Sequence, residues 1–374
     1  MAKQRRVFKI IKGIFVIPYG KQTIDKNDID EVVKTLKSDY LTTGPKVKAY
    51  EEELAKKLNF KYVVVVSNGT AALHLVSKVL LHQGDKVITT PNSFLSTSNS
   101  ILYQKAKPIF VDICQNGLID LDLVEEELKK DSKIKALYLV TFSGLPFDDE
   151  KLKYLKDKYN VKILLDNAHY FGEDSGICDI ATYSFHPVKH ITTFEGGAIG
   201  TNDKKIYKKL LMLRNHGIIK DNSMYPWEYK MVELGYNYRL SDVACAMGLS
   251  QLQKIDKFLE KRKQIAKIYH ENLKKVTPLY DYNPKSSYHL FIVKYPFKSL
   301  DEKAEFFIKM KEKGIALQYH YIPINQQPYY IKKGYFKKIK NMQEYYLQAF
   351  SLPIYPSLSK KAQNFIIKTL EEML

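Results

Sequence analysis

The residues best suited to covalent chemistry lie in residues 184–197, which read SFHPVKHITTFEGG. An apolar run, IATYSF, overlaps the start of this stretch and stops before Pro187, and a second apolar run, GAIGT, begins at its final glycine. Lys189 therefore lies in a turn between two predicted buried strands, where its amine is expected to lose water. Desolvation lowers the pKa of a lysine, and a neutral amine can form a Schiff base. Because most lysines of this lysine-rich chain only solvate its surface, this interpretation needs support from other residues.

The segments that follow the first two predicted strands contain groups suited to binding a phosphorylated ring. Gly69 and Thr70 open a helix in the run SNGTAA. Free N–H groups at a helix N-terminus, a glycine that permits close approach and a hydroxyl together form a phosphate site, although ordinary helix capping would explain Ser67 and Thr70 equally well. Phe94 follows the next strand, where an aromatic ring can cover a flat ligand, although phenylalanine more often packs in a core.

A carboxylate ends the later predicted strand VKILL, at Asp166, and His169 lies three residues beyond it. A buried carboxylate without a cationic partner is costly and takes up a proton, so Asp166 needs such a partner unless it only caps a helix. In chain order, a phosphate site, a ring-covering aromatic, a strand-end aspartate and a lysine match the needs of pyridoxal phosphate. The run SNGTAA is neither GxGxxG nor a P-loop, which disfavours dinucleotides and nucleoside triphosphates.

The elements that must position these residues form an alternating pattern. Between residues 63 and 201, short apolar strands alternate with helices, which predicts a mainly parallel sheet covered on both faces, an α/β fold whose ligands bind at the carboxyl ends of the strands. Ile29, Val32, Val33 and Leu36 recur at helical spacing and predict a helix near the start of residues 18–60. Residues 241–273 read as one long, bent amphipathic helix. We expect an N-terminal arm (residues 1–18), a large cofactor-binding domain (residues 19–250) and a smaller α+β C-terminal domain (residues 251–374).

Composition narrows the class of protein. The chain has 374 residues, 45% hydrophobic and 27% charged, as in a soluble globular protein, and no apolar run approaches a membrane span. A net charge of +18 could suggest nucleic acid, but only five of the 59 cations are arginines and the lysines are spread along the chain. We therefore expect no nucleic-acid partner, and the charge is compatible with a small anionic substrate.

The termini and cysteines indicate a cytoplasmic protein. Residues 1–20 carry basic residues before a short apolar patch, but lysines interrupt the patch, so we interpret it as an arm and not as a signal peptide. Cys114, Cys178 and Cys245 are far apart and form no CxxC pair. They predict neither a disulfide framework nor a zinc site, and we expect no metal and reduced thiols.

At this level of detail the chain resembles the DegT/DnrJ/EryC1/StrS family of nucleotide-sugar aminotransferases, from about Ile17 to the C-terminus. The stretches that carry the likeness include IPYGKQTID, SFHPVKHITTFEGGA, LRNHGI, GYNYRLSDVACAMGLSQL, SSYHLF and HYIPINQQPYY. They are most similar to the branch that aminates a UDP-linked 4-keto-6-deoxy-HexNAc in pseudaminic acid biosynthesis. The resemblance implies a pyridoxal-phosphate-dependent transferase of fold type I.

The resemblance also implies roles for particular residues. Lys189 would bond to the cofactor and later move the proton, Asp166 would keep the pyridine nitrogen protonated, and His169 would lie near the cofactor's oxygen. The full set of implied cofactor-binding residues is Gly69, Thr70, Phe94, Asp166, His169, Ser184, Lys189 and Asn237.

Asn237 would reach the phosphate of a partner subunit, which implies an obligate homodimer with shared active sites. L-glutamate would donate the amino group, and the 4-keto sugar nucleotide would receive it. The residues implied to face that nucleotide are Tyr19, Asp39, Tyr40, Leu41, Thr42, Arg239, His320 and Tyr321, although Tyr-Ile-Pro and Pro-Tyr-Tyr are also ordinary loop sequences.

Three departures from the family pattern stand out. The run SNGT replaces an N-S-A-T-like run, which is a mild change, and Leu145 replaces a residue that is often polar in relatives, which affects the expected substrate. The segment between Phe171 and Asp179 is shorter than in most relatives, which suggests a trimmed hairpin before the lysine strand. Lys189 argues against the related sugar 3-dehydrases, which carry histidine there. Two alternatives stay open: an aminotransferase for another nucleotide 4-keto sugar, such as a 4-amino pentose or bacillosamine-type precursor, and a basic nucleic-acid-binding or regulatory protein without catalysis.

Overall fold

A computed structural model describes residues 16–220 and 225–374. The expected N-terminal arm therefore lies outside the described residues except for its last three positions. Within the described ranges, no helix combines the length and apolar character needed to cross a membrane.

The centre of the molecule is a seven-stranded sheet with the order β1-β7-β6-β5-β4-β2-β3. All neighbouring strands are parallel except β7, which runs antiparallel to both β1 and β6. This confirms the predicted mainly parallel α/β sheet. Its strands are β1 (Tyr62–Val66), β2 (Lys86–Thr89), β3 (Lys107–Phe110), β4 (Ile134–Val140), β5 (Lys162–Asp166), β6 (Ile180–Ser184) and β7 (Gly197–Thr201).

Helices cover the sheet because its strands are apolar on both faces. Two separate apolar clusters contain alternate residues of β1: Val63 and Val65 lie in one, and Val64 and Val66 in the other. Both faces therefore need a covering layer. The helices of this part are α1 (Lys26–Leu36), α2 (Pro45–Leu58), α3 (Gly69–Leu80), α4 (Leu95–Tyr103), α5 (Leu121–Lys130), α6 (Asp149–Tyr159), α7 (Lys204–Arg214) and α8 (Asp242–Leu252).

A helix forms at the predicted apolar spacing, as α1, but the described residues do not cover its apolar stripe. Ile29 and Val33 are exposed, whereas Asp28 and Thr35 on the other side are buried. The Asp28 carboxylate accepts hydrogen bonds from the Ser250 hydroxyl at 2.6 Å and from another side chain of α8 at 2.7 Å. Polar contacts thus hold α1 to α8, and the apolar stripe faces away from the chain.

The long helix predicted after Leu240 is two helices, since the chain breaks between α8 and α9 (Ile255–Asn272). The prediction of an amphipathic helix was wrong for α8, which is buried on nearly every side. Because α8 packs against both α1 and α2, it has little solvent-facing surface.

The C-terminal part contains a three-stranded antiparallel sheet in the order β10-β11-β12. Ile17 pairs with Ile315 and packs in the same apolar cluster as β11. The boundary at residues 250/251 stays a prediction. The remaining elements are the strands β8 (Ile218–Ile219), β9 (Lys230–Met231), β10 (Thr277–Pro278), β11 (Phe291–Lys294) and β12 (Ala349–Leu352), and the helices α10 (Leu300–Glu312), α11 (Pro328–Lys332), α12 (Lys340–Gln348) and α13 (Lys360–Met373).

Candidate active site

Lys189 lies in the loop between β6 and the antiparallel β7, where the chain turns back across the sheet. The loop begins with a turn in which the Lys189 amide donates to the carbonyl of His186 at 2.9 Å. It ends at Gly197, where an added Cβ would lie 2.6 Å from the backbone of Asn68. The absence of a side chain at Gly197 therefore lets β7 start directly against the N-terminus of α3.

The Lys189 amine is partly buried and has no carboxylate within ion-pair distance among the described residues. Its Nζ lies 3.4 Å from Nε2 of His289. Burial lowers the pKa of Lys189 to about 8; the Asp166 charge opposes this shift and the Arg262 charge adds to it. The direction expected from the sequence is confirmed. At pH 7, about one unit below this pKa, about a tenth of the amine is neutral and available as a nucleophile.

Asp166 ends β5 and is only 4% exposed. Its Oδ2 accepts a hydrogen bond from the Thr97 hydroxyl at 2.7 Å, and its Oδ1 accepts one from the Ala168 amide at 3.1 Å. Burial raises the pKa of Asp166, although these two hydrogen bonds and the Lys189 charge oppose the shift. In the described part of the chain this carboxylate has no ion pair, so a protonated ring nitrogen would supply the missing cation.

The partners of the two ring nitrogens of His169 determine which nitrogen donates a hydrogen bond and which accepts one. Its Nδ1 accepts from the Ser143 amide at 3.3 Å, and its Nε2 lies 3.0 Å from the Tyr321 hydroxyl. Burial, followed by the charge of Lys189, lowers the pKa of His169 well below its usual value. A neutral ring that accepts at Nδ1 carries its proton at Nε2 and donates to Tyr321. The Tyr321 hydroxyl is then free to donate into the cavity that it lines.

A cavity of about 1000 Å³ joins these groups. At one end α3 begins at Gly69, where an added Cβ would lie only 3.1 Å from the Cβ of Ser184. A larger residue at position 69 would fill this end of the cavity. The predicted site residues that line it are Tyr19, Gly69, Thr70, Phe94, Asp166, His169, Ser184, Lys189, His320 and Tyr321.

These observations fit pyridoxal phosphate. The cavity offers free N–H groups at the start of α3 beside small side chains, a buried carboxylate without a cation, and a desolvated amine. Phe94 is 57% exposed at the cavity wall, with its ring centroid 6.0 Å from that of Tyr321. Within the described residues, no group of three or more His, Cys, Asp or Glu side chains could hold a metal ion.

The other predicted site residues lie outside this cavity. Tyr238 lines it, whereas its neighbours Asn237 and Arg239 do not. Arg239 instead donates to Asn215 Oδ1 at 2.5 Å and lines a separate cavity of about 220 Å³. The loop of Asp39, Tyr40, Leu41 and Thr42 is exposed and lies beside the start of α8, where Asp242 donates its amide to the Leu41 carbonyl at 3.0 Å. One chain therefore does not bring these residues to Lys189.

The structure adds residues that the sequence did not single out. Thr97 binds Asp166 from the first turn of α4, and His289 contacts Lys189 although 100 residues separate them. The only sequence signal for His289 is its place in the motif SSYHLF. Leu145, expected to affect substrate choice, is buried in an apolar cluster with Phe142 and does not line the cavity.

The chain belongs to the DegT/DnrJ/EryC1/StrS aminotransferase family, whose sequence profile matches residues 22–371. It is 38% identical over 372 residues to the UDP-4-amino-4,6-dideoxy-N-acetyl-beta-L-altrosamine transaminase of Campylobacter jejuni serotype O:23/36, covering 96% of this chain and 98% of that protein.

Two solved structures share the fold. Helicobacter pylori PseC, an aminotransferase of pseudaminic acid biosynthesis, has a TM-score of 0.90 and 29% identity, with 96% of this chain and 99% of that one covered. The pyridoxal-phosphate form of the sugar aminotransferase Spr1654 from Streptococcus pneumoniae has a TM-score of 0.86 and 28% identity, with 96% and 100% covered.

The family, the fold and the site together define a pyridoxal-phosphate-dependent sugar aminotransferase. The cofactor predicted from the residues is confirmed by these relatives, and the non-catalytic alternative is wrong. Their likeness does not test the individual site residues, which stay predictions.

Proposed function

We propose that this protein transfers an amino group from L-glutamate to C4 of a UDP-linked 4-keto-6-deoxy-N-acetylhexosamine, giving the 4-amino sugar of pseudaminic acid biosynthesis. The observation that carries this proposal is the likeness, over nearly the whole chain, to the Campylobacter altrosamine transaminase. The cavity of about 1000 Å³ supports it, because this volume is at the upper end of ordinary ligand sites and suits a cofactor plus part of a sugar nucleotide.

The cofactor, when bound, supplies the electron sink for the carbon that loses its proton. Lys189 supplies the base: its amine, with a pKa lowered to about 8 by burial, accepts a proton at Nζ and returns it on the same side of the cavity. The Asp166 carboxylate, at the end of β5, would stabilise the protonated ring nitrogen of the cofactor. Tyr321, whose oxygen accepts from His169, donates its hydroxyl proton to an oxygen in the cavity and orients the ligand.

The sugar assignment is tested by product analysis with 15N-labelled L-glutamate. We expect fastest turnover with UDP-4-keto-6-deoxy-HexNAc isomers, and slower turnover with a GDP-4-keto-6-deoxyhexose or a UDP-4-keto pentose, because the Campylobacter relative is named for a UDP-linked 4-amino-4,6-dideoxy-N-acetyl sugar. Mass and NMR of the product give the position and configuration of the labelled nitrogen. Faster turnover of the pentose or the GDP sugar would replace the proposed substrate by that one.

The second element of the proposal is a homodimer with shared active sites. The apolar stripe of α1 is exposed, with Ile29 at 56% and Leu36 at 55%, and no part of the described chain covers it. Asn237 and Arg239 flank cavity-lining Tyr238 and so point away from their own cavity, since neighbouring side chains of an extended segment face opposite sides. A second copy would cover the stripe and receive these two side chains.

Subunit complementation tests this sharing. Lys189→Ala and Arg239→Ala are each expected to be inactive, but co-refolded mixtures are expected to regain about a quarter of the parental activity. About half of randomly formed dimers are mixed, and one of the two sites in each mixed dimer combines an intact lysine with an intact arginine. The two inactive proteins mixed as folded dimers serve as the control. No regain after co-refolding would show that each site is built from one chain.

We also place the protein in the cytoplasm. Its three cysteines are free thiols in the structure, as expected in a reducing compartment. Fractionation of cells that express the tagged protein tests this, and recovery in a secreted or periplasmic fraction would contradict it.

A further inference from the structure

His289 contacts the reactive lysine, Lys189, from outside the cavity. His289 lies two residues before the start of β11, and its side chain is buried, with 4% exposed. Its Nε2 lies 3.4 Å from Nζ of Lys189. It does not line the cavity, so its contact with the active site runs through the lysine and not through a ligand. Its Nδ1 has no hydrogen-bond partner within the described residues. Lys189 is thus the one described group that gives this buried imidazole a polar contact.

A buried cation fixes the position of His289. Arg262 on α9 is fully buried, and its Nη1 donates to the carbonyl oxygens of Tyr288 and His289, each at 3.2 Å, and of Ile354 at 3.1 Å. Burial lowers the pKa of Arg262 to about 10, which leaves it charged at neutral pH. This guanidinium therefore fixes the backbone carbonyl groups of His289 and of the residue before it.

The groups around His289 disfavour a charge on its ring. The ring centroid of His169 lies 4.5 Å from that of His289, and the centroid of His190 lies 5.4 Å away. Burial first, and then the charge of Lys189, lower the pKa of His289 well below its usual value, with Arg262 acting in the same direction. A neutral imidazole that carries its proton on Nδ1 accepts a hydrogen bond at Nε2 from a protonated amine, which has only donors.

Lys189 is faced by charges from other elements as well. Asp166, at the end of β5, favours the protonated amine, and Arg262 on α9 disfavours it. His320 precedes cavity-lining Tyr321, and burial lowers its pKa to about 3, so it adds no charge. The direct acceptor for the amine among the described residues is therefore His289.

We propose that His289 is a positioning residue that accepts a hydrogen bond from the Lys189 amine at Nε2 and holds that amine in place when it is not bonded to the cofactor. The inference deepens the proposed function and rests on Lys189 as the reactive lysine. The proton stays on Nζ, since burial first and then the charges of Lys189 and Arg262 keep the imidazole neutral. The acceptor therefore favours the protonated amine that must later return its proton.

The test compares two amides at position 289. In His289→Gln the amide oxygen can occupy the place of Nε2, whereas in His289→Asn the shorter side chain ends near the place of Nδ1. Full-length protein freed of cofactor is trace-labelled with acetic anhydride across a pH series, and the Lys189 peptide is quantified by mass spectrometry. A hydrogen bond to a charged group shifts a pKa by about one to two units. We expect the pKa of Lys189 to fall by about one unit in the asparagine variant and to stay near the parental value in the glutamine variant.

His270→Asn is the matched control, because His270 packs against Phe291 of β11, with ring centroids 5.1 Å apart, and does not contact Lys189. It is expected to leave the pKa of Lys189 unchanged, and thermal melting confirms that each variant is folded. Equal pKa values in the asparagine and glutamine variants, whether shifted or parental, would overturn the proposal. The assay uses neither sugar nor glutamate, so a wrong substrate leaves it unaffected. An ordinary lysine pKa at Lys189 in the parental protein would instead count against the proposed role of that lysine.

Discussion

Lys189→Ala is expected to give a folded, colourless protein whose transamination rate is at least about 1000-fold lower. Parental protein purified with its cofactor should show a visible absorbance band that borohydride removes, because reduction fixes the cofactor on the lysine. The alanine variant loses both the nucleophile and the base in one change, so neither the band nor the half-reaction with L-glutamate should survive. Absorbance spectra, peptide mapping after reduction and stopped-flow kinetics measure these results.

The control is another desolvated lysine. Burial lowers the pKa of Lys303 on α10 to about 7, and its amine donates to the Tyr346 carbonyl at 2.7 Å outside the cavity. If a low pKa alone selected the bonded lysine, Lys303 would compete with Lys189. Lys303→Met should therefore keep the band and the turnover. A reducible band and a parental rate in Lys189→Ala would assign the chemistry to a different amine.

The parts of this site that the sequence predicts are those that depend on neighbouring residues. The turn between two apolar runs places Lys189 between β6 and β7, and the strand VKILL ends at Asp166, because a buried strand must end where the polar residues begin. The start of α3 at Gly69 follows from capping signals: Asn68 accepts the amide of Ala71 at 2.8 Å.

The parts that the sequence does not predict depend on contacts between distant segments. His289 meets Lys189 only because Arg262, from a third segment, holds the chain before β11. The burial of α8 on nearly every side follows from packing against α1 and α2, which no local periodicity reports. The stripe of α1 was correctly predicted to be helical, but spacing alone could not say which face of the helix the described chain buries.

Asp166→Asn is expected to lower turnover by about 100- to 10,000-fold while the protein stays folded. Each 1.36 kcal/mol of lost transition-state stabilisation is a tenfold change in rate, so this range corresponds to a loss of about 3–5 kcal/mol. An amide cannot hold the ring nitrogen of the cofactor in its protonated form, so the electron sink is weakened at every pH. Single-turnover rates with L-glutamate, together with the affinity for added pyridoxal phosphate, measure the loss.

A pH series separates this role from a structural one. Burial raises the pKa of Asp166, so acidification protonates it at a pH where an ordinary aspartate is still ionised, and cofactor affinity should fall there. Thr97→Val keeps the side-chain shape but removes the donor at 2.7 Å that favours the ionised form. In this variant the pKa of Asp166 should rise further, so the affinity for pyridoxal phosphate should be lost at acidic pH and recovered at higher pH. Asp166→Asn has no group to ionise and should show no recovery. Parental turnover in Asp166→Asn at all pH values would leave Asp166 only the structural role of accepting the Thr97 and Ala168 hydrogen bonds.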